Sequence, residues 1–539
     1  MNSAPPDSPS DRLARLAYRS IYGAALLFLA FKIYQHHHHN YGYTLLPLFS
    51  HHWQESSLDS LKKTPHYTFE RGYDGQFYAQ LALRPSARGL DLEHALDNHP
   101  YRARRILFSW TAAAFGFGNP LWTLEVFSFQ NAVFWFLSAF LLIRWLPPTH
   151  WQNALRFIFC LFTLGLVNSF NRALLDGPSL FLIMLGAYFI ESKRSWLGAA
   201  TLGLAGLGKE TNLLSVFALS EKGSVRSFLK PELMLKAALA CLPFFAWYVY
   251  VLSVGERDYS AGIGGRNFTF PLFAAFQTFL EIIREAGDKG FPQSSFWKLA
   301  MLGALVLQGI YLLARPKREL VWSRIGIVFA LLMLVLGTPV WEGLQAIPRV
   351  LLPMTIAFNI LFSRRLVLLP VLIFANSLTF VGINSLEPIF LEERFEMADE
   401  SKLAYNPETN ESSHLQFQDG WSTGEGSQRR YWRWSEGDSV IEFFAPGNRR
   451  IEAEFHLIPK TIRARDILFE LNGEAIWQTT AEPTYGDFHS IPITLAPGLN
   501  TFRFHSPAPP DKIGADPRKL SFALVDYKLR LIRAIPESE

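Results

Sequence analysis

The apolar residues of this chain come in long blocks, and that arrangement constrains the fold more than any other feature. Segments 16–35, 121–146, 154–171, 176–191, 233–254, 296–314, 321–338, 348–362 and 366–384 each approach the roughly 20 mostly apolar residues that a helix needs to cross a bilayer. A soluble core would show scattered helical or alternating spacing instead. Inside lipid every backbone N–H and C=O must be satisfied within its own segment, so such blocks become helices. The composition fits lipid as solvent, with 49% hydrophobic and only 18% charged residues. The run that begins near Leu16 has no recognisable small-residue cleavage site and reads as a retained first helix.

One further apolar stretch, 196–220, is interrupted by Gly208, Lys209, Glu210, Thr211 and Asn212. A single straight helix would bury that ion pair near mid-membrane, whereas two half-helices meeting at the break would set it in a wet cavity. The positive-inside rule favours the broken pair. Arg12, Arg15 and Arg19 precede the first helix; Lys193–Arg194, Lys222 with Arg226 and Lys230, Arg315 with Lys317 and Arg318, and Arg364–Arg365 lie in connections. All fall on one side only if 196–220 goes in and comes back. The expected fold is therefore a polytopic α-helical bundle of about eleven membrane-crossing or re-entrant helices over residues 1–388. Two long outer connections, 36–120 and 255–295, are expected to build a site; Gly262, Gly264 and Gly265 lend the second one mobility.

After Pro388 the helical runs stop and period-two alternation begins, as in Ile451–Leu457 and Phe502–His505. Asn472-Gly473 marks a tight hairpin because both central residues need positive φ, and turns are expected again at Pro446-Gly447 and Pro497-Gly498. Residues 389–539 are thus expected to form an all-β sandwich of jelly-roll type on the outer face. Trp421, Trp432 and Trp434 suit sugar stacking, but aromatic residues in a small sandwich more often serve as core.

Several function classes fall away. The net charge of +4 sits beside apolar segments and not in a groove suited to nucleic acid. Cys160 and Cys241 lie inside apolar runs and read as packing residues. There is no Walker motif, dinucleotide fingerprint or nucleophile elbow. The histidines at 36–39, with His51 and His52, are consecutive, so they cannot all face one ion, and they read as a solvated run.

Chemistry concentrates in the first outer loop. Asp74 lies between Gly72 and Gly75 in Arg71-Gly72-Tyr73-Asp74-Gly75-Gln76-Phe77-Tyr78. A carboxylate on such adaptable backbone is suited to act as general base, to bind a metal, or to cap the helix that follows. Arg102, Arg104 and Arg105 set three guanidinium forks beside an interfacial segment, where they fit either a lipid-linked phosphate or headgroups. Arg172, Asp176, Lys209, Glu210 and Arg349 project toward the same outer side, although Lys209 and Glu210 could neutralise each other.

These residues resemble the polytopic GT-C glycosyltransferases, which take sugar from a polyprenyl-phosphate carrier on the outer membrane face. The resemblance covers about residues 15–385 and rests on four features. They are the long first loop, the segment Tyr73–Tyr78, the turn Arg172-Ala173-Leu174-Leu175-Asp176-Gly177-Pro178, and the break Gly206-Leu207-Gly208-Lys209-Glu210-Thr211. The Tyr73–Tyr78 segment is similar to the Trp-Asp-Gly-x-x-Tyr pattern of the GPI mannosyltransferase branch, with Tyr73 in place of tryptophan. The Lys-Glu break is similar to one in the aminoarabinose and protein mannosyltransferase groups. The trailing sandwich resembles domains appended to bacterial members of cell-surface glycopolymer loci.

The resemblance implies a hexosyl- or mannosyltransferase-like inverting enzyme of the bacterial cytoplasmic membrane, with Asp74 catalytic. Arg71, Gln76, Tyr78, Arg102, Arg104, Arg105, Arg172, Asp176, Lys209, Glu210 and Arg349 would bind substrate. The implied partners are a polyprenyl-phosphate-linked sugar, a glycan or lipid acceptor and membrane lipids. No cofactor is implied. A divalent metal lacks support, because the nearest other loop acids are Asp59, Glu70, Asp91 and Glu93. Two other readings of the same features are a transporter or flippase for lipid-linked sugars, and a non-catalytic polysaccharide assembly protein.

Overall fold

The computed structural model describes residues 9–38, 41–69, 72–221, 224–255, 267–288, 293–389, 395–397, 405–406, 411–412, 415–427, 430–445, 449–512 and 518–535. Arg71, His39, Lys222, the glycines at 262, 264 and 265, and the Pro446-Gly447 turn lie outside these residues. The chain divides into two units, one comprising 1–61 with 67–388 and the other 62–66 with 389–539.

In the first unit every segment expected to run between the two membrane faces is helical. Among the described residues five helices are long and apolar enough to cross a membrane: Leu13–Gln35, Pro120–Trp145, Trp151–Asn171, Pro231–Val254 and Gln293–Ala314. A sixth such segment is bent by 45° between Leu366–Ala375 and Ser377–Ser385, while Val321–Val335 and Leu352–Leu361 are shorter apolar helices. Asp176–Glu191 and Ser195–Gly208 are also shorter than a full span, and both are largely buried within the bundle.

The bend shows how the lipid requirement is met. Gln308 donates to the Ala375 carbonyl at 2.6 Å, and Asn376 donates to the Leu372 carbonyl at 2.9 Å. Asn376 also exchanges hydrogen bonds with Asn359 at 2.8 and 3.1 Å. Side chains from neighbouring helices thus satisfy the backbone that the break leaves open.

The interruption at Lys209 is a true reversal. Helix Ser195–Gly208 ends, Lys209 is extended at φ −161° and ψ 125°, and a 3-10 stretch, Glu210–Leu219, follows. Asn212 donates to the Ala205 carbonyl at 3.2 Å, and the Leu213 side chain packs at Gly206. In a continuous helix residues seven apart are separated by about 10 Å along the axis. The two halves therefore fold back on each other.

Polar contacts mark two distinct ends of the bundle. At one end, Trp145 donates to Glu191, Arg324 donates to the Ala218 carbonyl, and Arg156 donates to the Ser363 carbonyl. These contacts gather the connections that carry Lys193–Arg194, Arg315–Arg318 and Arg364–Arg365. The Lys209 break, Asp176 and Arg349 meet at the other end. The basic connections and the candidate site are thus segregated, as the reversal at 209 requires.

Among its described residues the second unit holds two main sheets and a two-stranded ladder, Tyr405–Asn406 with Glu411–Ser412. One main sheet runs Thr484–Tyr485, Ile451–Thr461, Phe522–Ala534, Arg430–Trp434, Glu425–Ser427, with His489–Leu495 also paired to Ile451–Thr461 and Phe395–Met397 to Phe522–Ala534. The other runs Glu474–Ala481, Arg465–Leu471, Gly498–His505, Asp438–Ala445, Leu415–Phe417. Phe455 of the first sheet and Phe469, Phe502 and Phe504 of the second share one core, so the sheets pack face to face. Asn472 and Gly473 take φ of 53° and 87°, the hairpin conformation their sequence demands, and Gly498 sits at φ 83°. Trp421 packs against this core and donates to the Val440 carbonyl at 3.0 Å, and Trp434 is buried, so both serve packing.

Candidate functional site

The site begins with a glycine that lets the first loop approach the bundle. A Cβ on Gly75 would lie 2.2 Å from the Arg172 carbonyl oxygen, so only glycine permits this contact between the loop and the 172–176 turn. The helix that follows, Gly75–Leu83, is pinned by its own amides. Gln76 accepts from the Ser50 N–H at 3.0 Å, and Gln80 bridges the Leu58 N–H and the Ala95 carbonyl at 2.9 and 3.0 Å. Gln76 is thus a buried staple of the loop.

Asp74 does not cap this helix: its backbone is already helical and its side chain makes no capping bond. The carboxylate instead accepts from Arg102 Nη2 at 2.8 Å and keeps 40% of its side chain exposed. Arg102 is simultaneously held by Asp97 through Nε and Nη2, at 2.7 and 2.6 Å. Burial opposes ionisation of Asp74, but the adjacent Arg102 guanidinium, with Arg349 and Arg105 behind it, outweighs burial and holds the carboxyl below its ordinary value. Arg105 also acts on Tyr101, lowering the pKa of its phenol against burial.

Lys209 and Glu210 take different partners. Lys209 forms an ion pair with Asp176, which also accepts from Arg349 Nη1 at 3.2 Å. Glu210 accepts from Arg104 Nη2 at 2.7 Å and from Arg105 Nε at 2.7 Å. Arg105 also donates to the Tyr78 hydroxyl at 2.8 Å, and Arg349 to the Tyr73 hydroxyl at 3.2 Å. Arg172 is held by Asn168 at 2.9 Å and lies 4.9 Å from the centre of the Tyr73 ring.

These groups converge on one cavity of about 300 Å³. Its polar wall carries Asp74, Tyr78, Tyr101, Arg104, Arg105, Asp176, Lys209, Glu210 and Arg349; its apolar wall carries Phe268, Leu336, Pro339, Val340 and Val350. Arg102 reaches it through Asp74, Arg172 stands behind Tyr73, and Gln76 is turned away into the loop. Counting the side chains joined in this network, Arg102, Arg104, Arg105, Arg172, Lys209 and Arg349 outnumber Asp74, Asp97, Asp176 and Glu210 by two positive charges. A hollow of that sign is built for an anion.

Sequence reasoning passed over Asp97, Tyr73, Tyr101, Asn131 and Ser169. Asp97 carried a usable signal: it precedes Asn98, which caps helix His99–Ala103, and that short helix presents Arg102 back to it. Asn131 and Ser169 carried none. Asn131 donates to the Leu174 carbonyl at 2.9 Å, and Ser169 accepts from the Gly177 N–H at 2.8 Å, so together they fix the turn that aims Asp176.

The consecutive histidines diverge. His36 bonds to the Lys32 carbonyl and lies against Phe170, His37 lies against Tyr43, and His38 against Tyr41. Among the described residues no three His, Cys, Asp or Glu side chains form a group that could hold a metal ion.

No protein-family model matches the chain, and no curated protein matches it significantly. Among solved structures, the chain is similar to the arabinosyltransferase EmbB from Mycobacterium smegmatis, at 11% identity and a TM-score of 0.29. That match covers 95% of this chain and 64% of the other, so the chain spans less than two thirds of that protein's length. It is also similar to the native structure of a family 35 carbohydrate binding module from Clostridium thermocellum, at 15% identity and a TM-score of 0.14, covering 21% of this chain and 87% of that one. Likenesses this low carry no inference about activity.

Proposed function

We propose that this chain is a membrane glycosyltransferase that moves a sugar from a polyprenyl-phosphate carrier to a glycan or lipid acceptor, on the outer face of a bacterial cytoplasmic membrane. The observation that carries the reading is the pairing, in one cavity, of a part-exposed carboxylate, Asp74, with an excess of cations. In this mechanism Asp74 takes the proton from an acceptor hydroxyl as that oxygen attacks the anomeric carbon from the face opposite the carrier, inverting the centre. The bond from that carbon to the carrier phosphate breaks, and its electron pair leaves on the phosphate. Arg104, Arg105, Lys209 and Arg349 are already oriented by their carboxylate partners, so they stabilise the charge growing on the phosphate with little reorganisation.

Arg102 holds Asp74 ionised and aimed, and the Tyr73 hydroxyl accepts from Arg349 and orients it. Arg172 and Tyr78 act behind them as positioning groups. In this reading the C-terminal sandwich lies on the outer face of the membrane. The test is transfer from a polyprenyl-phosphate sugar in membranes, wild type against Asp74→Asn. Near-normal turnover by folded Asp74→Asn protein would end the proposal.

A further inference from the structure

Helix Phe273–Asp288 lies in the connection between two membrane-length helices, Pro231–Val254 and Gln293–Ala314, and has three faces of different chemistry. Ala274, Thr278, Ile282 and Ala286, spaced four apart, are buried against the protein. Phe273, Phe276, Leu280 and Ile283, with Phe279 beside them, form a second arc that is apolar and open, with Phe276 59% and Leu280 49% exposed. Glu281 and Arg284 are exposed on the flank between these arcs.

We infer that this helix is seated in the outer membrane interface, with its phenylalanine arc among lipid chains and its Glu281–Arg284 flank in water. The occupant of the apolar arc is bilayer lipid, for two reasons. The connection starts and ends on helices long and apolar enough to cross the membrane, which would hold its helix close to the bilayer surface. A helix with a buried face, an open apolar arc and an exposed charged flank in succession is also the pattern of an interfacial segment.

The seat bears on the cavity. The strand-like lead into this helix is stitched to the end of helix Val321–Val335. Thr269 donates to the Val335 carbonyl at 2.9 Å, and Gly337 to the Asn267 carbonyl at 2.6 Å. Phe268, in that lead, and Leu336, its bridge partner, belong to the apolar wall. The helix is thereby tied to the apolar wall of the cavity. The lipid seat itself stands whether or not the chain transfers sugar.

The test uses the full chain in lipid nanodiscs. Nitroxides are placed singly at positions 276, 280, 283, 281 and 284 in a Cys160→Ala, Cys241→Ala background, and their collision rates with oxygen and with a water-soluble nickel chelate are compared. Oxygen should dominate at 276, 280 and 283, and the chelate at 281 and 284. Chelate dominance at all five positions, or protection of 276, 280 and 283 from both agents by a protein surface or a second copy, overturns the inference. Photolabelling of the unsubstituted protein with a bilayer-soluble diazirine gives an independent reading. Label on peptides spanning 273–288 supports the seat, and its absence there, with label on the crossing helices, overturns it.

Discussion

Lys209 and Glu210 are adjacent in the chain and do not pair with each other: Lys209 is joined to Asp176, and Glu210 to Arg104 and Arg105. The extended backbone at Lys209 sends successive side chains to opposite sides, so one dipeptide ties the 172–176 turn and the first loop to the same break. This splitting, and not mutual neutralisation, places cations on two sides of the cavity.

Removing one member of such a buried network leaves the others uncompensated. Asp176→Asn, which strips Lys209 and Arg349 of their shared partner, should destabilise the protein by about 3–5 kcal/mol. Lys209→Met should cost less in the Asp176→Asn background than in wild type, a coupling of about 0.5–3 kcal/mol read by unfolding in mixed micelles. Strict additivity would show that the pair does not act as one unit.

Asp74 sets a pH dependence of known sign. Its folded-state carboxyl titrates below the ordinary carboxylate value, so its ion pair contributes fully at neutral pH, weakens as pH falls past that ordinary value, and is lost below the folded value. The acid limb of the transfer rate should likewise lie below the ordinary carboxylate range. Arg102→Gln removes the largest charge holding it there, so the limb should move toward higher pH while Asp97 loses its clamp. An unmoved limb in that variant would separate Asp74 from the rate.

Gly75→Ala tests the close approach of loop and bundle. The added methyl meets the Arg172 carbonyl at 2.2 Å, which is backbone and cannot swing aside. A loss of about 1–3 kcal/mol is expected, together with a drop in transfer as Asp74 shifts. Wild-type melting and turnover would refute the contact.

Gly473→Ala isolates backbone strain in the sandwich. Nothing lies within 4 Å of the added Cβ, and φ is 87°, so the cost of about 1–2 kcal/mol is purely conformational. Thermal unfolding of the chain, following the β-domain signal, measures it.

Much of the architecture was legible because it is written in local pattern. The apolar blocks specify helices since lipid offers the backbone no other partners, and Asn472-Gly473 specifies its turn through the φ each residue tolerates. Even the reversal at Lys209 could be read, since charge at membrane depth and the sidedness of basic connections left one economical path.

By itself, then, the sequence determined which segments become long apolar helices, where strands replace helices, and where charge interrupts an apolar run. Only the tertiary structure decided which charge answers which: that Arg102 is shared by Asp74 and Asp97, that Gln76 serves the loop and not the cavity, and that the loop helix 273–288 has a free apolar arc. The physical reason is range. Helix, strand and turn preferences act over a few residues, whereas a long side chain selects its counter-ion among groups brought together from distant segments, as with Asp176 and Arg349, 173 residues apart.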